Sequence, residues 1–213
     1  MLIYIVYRMT TQNYTAIPDD TTIRKTVENL KKNNINVIIV DTKEQAKETI
    51  SSLIPHGSEV MNMTSITVDT IGVTEEVLHS GKYNAVRNTF AKMDRATQGK
   101  EMRKLGSVPD YATGSVHAIT QDGHVLIASA SGSQLPAYIY GAEHVIWVAG
   151  AQKIVKDLNE GMKRIYEYSF PLENKRALKA YGSGSNVRKI LIVNSEPRPN
   201  RVTMVLIKES IGF

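Results

Sequence analysis

The chain of 213 residues contains no cysteine. That absence excludes a thiolate zinc site, a cysteine-ligated iron-sulfur cluster and a cysteine nucleophile on this chain. Histidine is sparse. His56, His79, His117, His124 and His144 form neither H-x-H nor H-E-x-x-H, so the residues offer no metal-binding pattern. No apolar run approaches the roughly 20 residues of a membrane span. Nucleotide and hydrolase signatures are missing too. No Gly-Lys-Ser/Thr follows Ser131–Ser133, no G-x-G-x-x-G opens a helix there, and Gly182-Ser183-Gly184-Ser185 misses a G-x-S-x-G elbow by its spacing.

What is present fits an ordinary globular chain of one α/β domain, with or without a small appended subdomain. Apolar residues make up 42% and charged residues 22%. Basic residues exceed acidic ones by 26 to 21, a net charge of +5 spread along the chain. This suits an anionic small molecule. It also leaves an RNA-associated basic module as a third reading, although no arginine-rich tail or aromatic RNA-binding signature supports nucleic acid. The opening run M-L-I-Y-I-V-Y-R-M reads either as an edge strand or as an upstream extension with translation starting at Met9. Residues 1–19 are assigned to an N-terminal extension and 20–213 to one domain. With no basic n-region or cleavage site flanking the run, the expected location is the cytoplasm, with no membrane partner.

Periodicity places elements along the rest. Ile23, Val27 and Leu30 form a helical stripe closed by Lys31 to Asn34, and Val37–Val40 is a continuous apolar run typical of a buried parallel strand. Thr42 and Gln45 fit a capping box ahead of a helical face of Ala46, Ile50, Leu53 and Ile54 that Pro55 and Gly57 stop. Glu59–Met61 reads as a second strand, and short helices follow Thr64-Ser65 and Thr74. A helix over 91–105 carries Lys92, Arg95 and Arg103, widened by Lys100 and Lys104, either as a solvated face or as an anion-attracting rim over a pocket. Asp122-Gly123 predicts a type I′ hairpin between strands near 111–121 and 124–130. His144–Ala149 is a further strand, and Ile154, Val155, Leu158, Met162 and Ile165 predict a long helix. Tyr181–Ser185 is a flexible connection, and strands at 190–193 and 202–207 complete the sheet.

Small and hydroxyl residues gather where these strands end, the place where open α/β sheets hold ligands. Ser131-Gly132-Ser133, followed by Gln134 and Pro136, suggests free amides at a helix start that favour a carboxylate or phosphate; capping by Ser133 is the equal alternative. In Thr113-Gly114-Ser115 the glycine marks close approach by a ligand or by a neighbouring element. Lys153, after Gly150, is placed to neutralise an anion or to sit on the surface. His117 alone among the histidines falls in this region, as a packed strand histidine or a base.

Five segments together resemble the LUD domain, the lactate-utilisation family related to its C component, in a stand-alone form. They are E-V-M-N-M-T-S-I-T-V-D-T-I-G, T-G-S-V-H-A-I-T-Q-D-G, S-A-S-G-S-Q-L-P-A, V-A-G-A-Q-K-I-V-K-D-L and E-P-R-P-N-R-V-T-M-V-L. The resemblance implies a three-layer α/β/α fold with a mainly parallel central sheet, like glucosamine-6-phosphate deaminase, ribose-5-phosphate isomerase and CoA transferases. It implies a small anionic metabolite as ligand and a supporting role in oxidising L-lactate to pyruvate with iron-sulfur partner subunits, the protein itself a monomer or a homo-oligomer. No cofactor is expected on this chain. The positions carried over as anion-binding are Thr64, Ser65, Thr113, Gly114, Ser115, Ser131, Gly132, Ser133, Gln134, Lys153 and Arg201. Many relatives carry an acidic residue where this chain has Gln121, which cannot act as a general base. A catalytic role and a purely binding, sensor or accessory role both stay open.

Overall fold

The computed structural model describes residues 13–213. The opening run and the alternative start at Met9 lie outside the described residues. In chain order the elements are α1 (Asp20–Lys32), β1 (Asn36–Val40), α2 (Lys43–Leu53), β2 (Glu59–Asn62), α3 (Ile66–Thr70), α4 (Val73–His79), β3 (Asn84–Ala85), α5 (Val86–Phe90) and α6 (Arg95–Ser107). Then follow β4 (Tyr111–Ser115), β5 (Ala118–Thr120), β6 (Val125–Ser129), a π-helical turn (Ala137–Gly141) and β7 (His144–Gly150). The chain finishes with β8 (Ile154–Val155), α7 (Leu158–Lys163), a π-helical segment (Arg164–Ser169), α8 (Phe170–Tyr181), β9 (Lys189–Val193) and β10 (Val202–Ile207).

Six strands make a wholly parallel sheet in the order β1-β10-β7-β4-β2-β3. The period-2 alternation of a strand splits β7 between two cores. Val145, Trp147 and Ala149 face α1 residues Ile23, Val27 and Leu30, while Ile146 and Val148 face Ile50 of α2, Val68 of α3 and Val77 of α4. Helices thus cover both faces, as expected. Each fully buried Trp, Leu or Ile here contributes about 1.5–3 kcal/mol relative to an exposed position. Local signals agree with this packing: Thr42 and Gln45 close a capping box on α2, and Asp19 caps α1 through Thr22 N–H at 2.7 Å.

The second half of the chain departs from the sequence expectation. The strand foreseen over 111–121 breaks after Ser115, and its second part joins a separate four-stranded sheet, β8-β5-β6-β9. This sheet packs Ile119, Val125 and Ile127 onto the α1 side of the main sheet, and its outer face is covered by Ile165, Leu158 and Met162. The late strands therefore part company: β9 pairs with β6, whereas β10 runs between β1 and β7. Ile154 and Val155 pair with β5 instead of opening a helix, which starts only after Asp157 caps Glu160 N–H. The β5–β6 turn is not type I′. Gly123 alone is left-handed, at φ 90°, and its N–H donates to Thr120 O at 2.9 Å, so a third residue enters the loop. The basic helix expected from residue 91 begins at Arg95, capped by Asp94. Among the described residues no helix is long and apolar enough to cross a membrane.

Candidate functional site

Parallel strands end on the same edge of a sheet, and their following loops converge there. On this edge a pocket of about 620 Å3 opens between the two sheets. The segments after β2 (Met63–Thr67) and β4 (Ser115–His117) form its floor, residues 128–134 one wall, and Ser169, Phe170 and Arg176 the opposite wall. Ser115 from one of the hydroxyl clusters meets Ser131 and Ser133 from the other in this pocket.

The floor rests on two buried basic side chains. Lys153, 1% exposed in the turn after β7, shares its Nζ hydrogens among Thr67 Oγ1, Ser115 Oγ and Val116 O at 3.0 Å each and Phe213 O at 3.1 Å. Arg164, fully buried, donates from Nη1 to Ser169 Oγ at 3.0 Å and to His117 O, while Nε and Nη2 have no hydrogen-bond partner. Its guanidinium lies 5.1 Å from the Tyr168 ring centre. Among the described residues neither basic side chain is paired with an Asp or Glu side chain, and Lys153 also meets the oxygen of Phe213, the last residue of the sequence. Burial, and then the Arg164 charge, hold Lys153 well below the ordinary lysine value. Burial likewise lowers Arg164 to about 10.

Two hydroxyls relay these charges to the pocket. Thr67 Oγ1 accepts from Lys153 and lies 3.2 Å from Ser115 Oγ, and Ser169 Oγ accepts from Arg164; both residues line the pocket. Ser115 differs, because its hydroxyl donates to Val148 O at 2.6 Å and is committed to β7. His117 completes the group. Its Nδ1 accepts from Ala128 N–H at 3.1 Å, so the ring proton of the neutral form sits on Nε2. Burial, then the charges of Lys153 and Arg164, lower its pKa to about 3, so it is an uncharged donor and not a base at neutral pH. The arrangement offers three O–H or N–H donors backed by positive charge, which suits an oxyanion. Among the described residues no group of three His, Asp or Glu side chains is placed to hold a metal.

The residues expected at the site divide sharply. Thr64, Ser65, Ser115, Ser131, Ser133 and Gln134 line the pocket. Thr113 is buried beneath the floor with Oγ1 unpartnered, and Gly114 makes room for a neighbour rather than a ligand: a Cβ there would lie 1.8 Å from Tyr138 Oη. Lys153 is neither on the surface nor on the pocket wall, but acts from behind it. The amides of Gly132 and Ser133 are not free, since they donate to Ser129 Oγ at 2.8 Å and Ser131 Oγ at 3.3 Å. Gly132 itself packs on Lys189, whose Nζ donates to Ser131 O at 2.9 Å. Arg201 belongs to the other edge of the sheet. It pairs with Glu196 at 2.7 Å and donates to the carbonyls of Ala137, Tyr138 and Ala142 at 3.0 Å, closing the end of the π-helical turn. Sequence reasoning missed Thr67, Arg164 and Ser169. The five-residue helix bearing Thr67 carries no periodic signal, and Arg164 reads like any helical arginine.

Comparison with known proteins agrees with this fold. A DUF162 family protein from Deinococcus radiodurans superposes with a TM-score of 0.56 at 9% identity, covering 90% of this chain and 99% of that one. The eIF2B beta subunit from Chaetomium thermophilum superposes with a TM-score of 0.38 at 16% identity, over 54% of this chain and 43% of that one. The first likeness speaks for the fold, and the second carries no argument. No curated protein matches in sequence. The family model of the LUD domain matches residues 23–207, and the chain belongs to the LUD domain family.

Proposed function

We propose that the protein binds a small organic anion at the strand ends and supports lactate-type organic-acid metabolism. One observation carries this reading: among the described residues Lys153 and Arg164 are buried behind the pocket floor with no Asp or Glu side chain paired to them, and Nε and Nη2 of Arg164 have no hydrogen-bond partner. An uncompensated buried charge costs several kcal/mol, and a ligand anion held by Thr67, His117 and Ser169 offsets that cost. Family membership supports the metabolic setting, in which iron-sulfur partner subunits would hold the clusters that a cysteine-free chain cannot ligate through thiolates.

A binding role without turnover has its own support. Glu173 is the acidic residue lining the pocket, and both its oxygens are taken by Arg176 at 2.7 Å. With His117 also unable to accept a proton at neutral pH, no unengaged general base faces the ligand. Calorimetric titration with lactate, pyruvate, acyl-CoA and sugar phosphates, followed by turnover assays, tests both statements. Binding of an organic acid without turnover is expected. Indifference to every anion refutes the proposal, and turnover by the isolated chain refutes the accessory role.

A further inference from the structure

The floor is not the pocket's only cationic surface. Arg87 of α5 and Arg95 at the start of α6 line the same pocket, and among the described residues neither is ion-paired. Arg176, by contrast, is neutralised by Glu173. The two groups come from different parts of the chain: Thr67 follows β2, His117 follows β4 and Ser169 precedes α8, whereas Arg87 follows β3 at the end of the sheet and Arg95 opens α6. The pocket volume of about 620 Å3 is ample for a molecule longer than a single carboxylate.

We propose that the ligand is an organic dianion, a chain bearing one anionic group seated against Thr67, His117 and Ser169 and a second held by Arg87 and Arg95. This rests on the anion-binding reading and adds a second point of attachment. The basic start of α6 then acts as the rim over the pocket, while Lys100, Arg103 and Lys104 stay outside it. Two linked contacts raise affinity because the second forms within one complex.

The test uses chain length as a ruler. The full chain is titrated by calorimetry with α,ω-dicarboxylates from succinate to suberate, alongside the monocarboxylates of equal length. The proposal predicts one preferred diacid, binding at least about tenfold tighter than its monoacid. In R87Q/R95Q, whose substitutions are at side chains that are not fully buried, that advantage disappears while monoacid binding persists. Equal affinity of diacids and monoacids at every length overturns the dianion inference and leaves the anion reading standing. Failure of both classes to bind overturns both. The wild-type series decides the matter even if the double variant folds poorly.

Discussion

Lys153 Nζ lies 3.0 Å from Thr67 Oγ1, joining the end of β7 to α3 at the floor of the pocket. The lysine does not face the pocket, so its effect on a ligand passes through the threonine hydroxyl. Thr67→Val keeps the shape and removes the donor. The expected loss of anion affinity is about 1.5–3 kcal/mol, the worth of a charge-assisted hydrogen bond. Calorimetry checks it, with the melting temperature as control for folding.

Proton uptake should accompany binding. Burial and Arg164 depress Lys153, and an anion close by favours its charged form. Affinity therefore falls as pH rises through the depressed value, and above that value binding takes up a proton. Titration in buffers of different ionisation enthalpy measures the uptake. Lys153→Met should abolish it.

His117 governs acid stability. Its native pKa of about 3 lies below the ordinary 6.5, so between those values the unfolded chain takes a proton that the native state refuses. Its contribution is fully present above pH 6.5 and is lost as pH falls toward 3, with a slope of at most about 1.4 kcal/mol per pH unit. Chemical denaturation across this range should show a shallower decline in His117→Gln than in the wild type.

The main parallel sheet, the α1 stripe and the caps were readable from the sequence because each depends on neighbours close along the chain. Val37–Val40 and His144–Ala149 carry the apolar runs of doubly covered strands, and both lie in the main sheet. The second sheet was not readable. Ala112 and Ile119 have similar apolar character, and only the tertiary pairing of β5 with β8 separates Ile119 from the main sheet. The site was half readable. Ser and Thr clusters mark strand ends, but nothing local marks Thr67 as a partner of Lys153 or shows that the Ser115 hydrogen is spent on Val148 O.

Gly114 tests the packing beside the floor. A methyl group there meets Tyr138 Oη at 1.8 Å and Met63 Cβ at 3.2 Å. Gly114→Ala should destabilise by about 1–3 kcal/mol through overpacking. Adding Tyr138→Phe removes the nearest atom and should restore part of the loss, as read by urea denaturation.

Arg201 separates stability from binding. Arg201→Met leaves Glu196 buried and unpaired and should cost about 3–5 kcal/mol of stability. Because the residue stands at the opposite edge of the sheet, anion affinity of the folded fraction should not change.

The most direct measurement is a long-range proton–nitrogen correlation spectrum of the histidine rings during titration with pyruvate at neutral pH. It should show His117 as the neutral Nε2–H tautomer, with its Nε2 resonance shifting as pyruvate saturates. A charged His117, or a ring indifferent to pyruvate while calorimetry registers binding, would contradict the proposed anion seat.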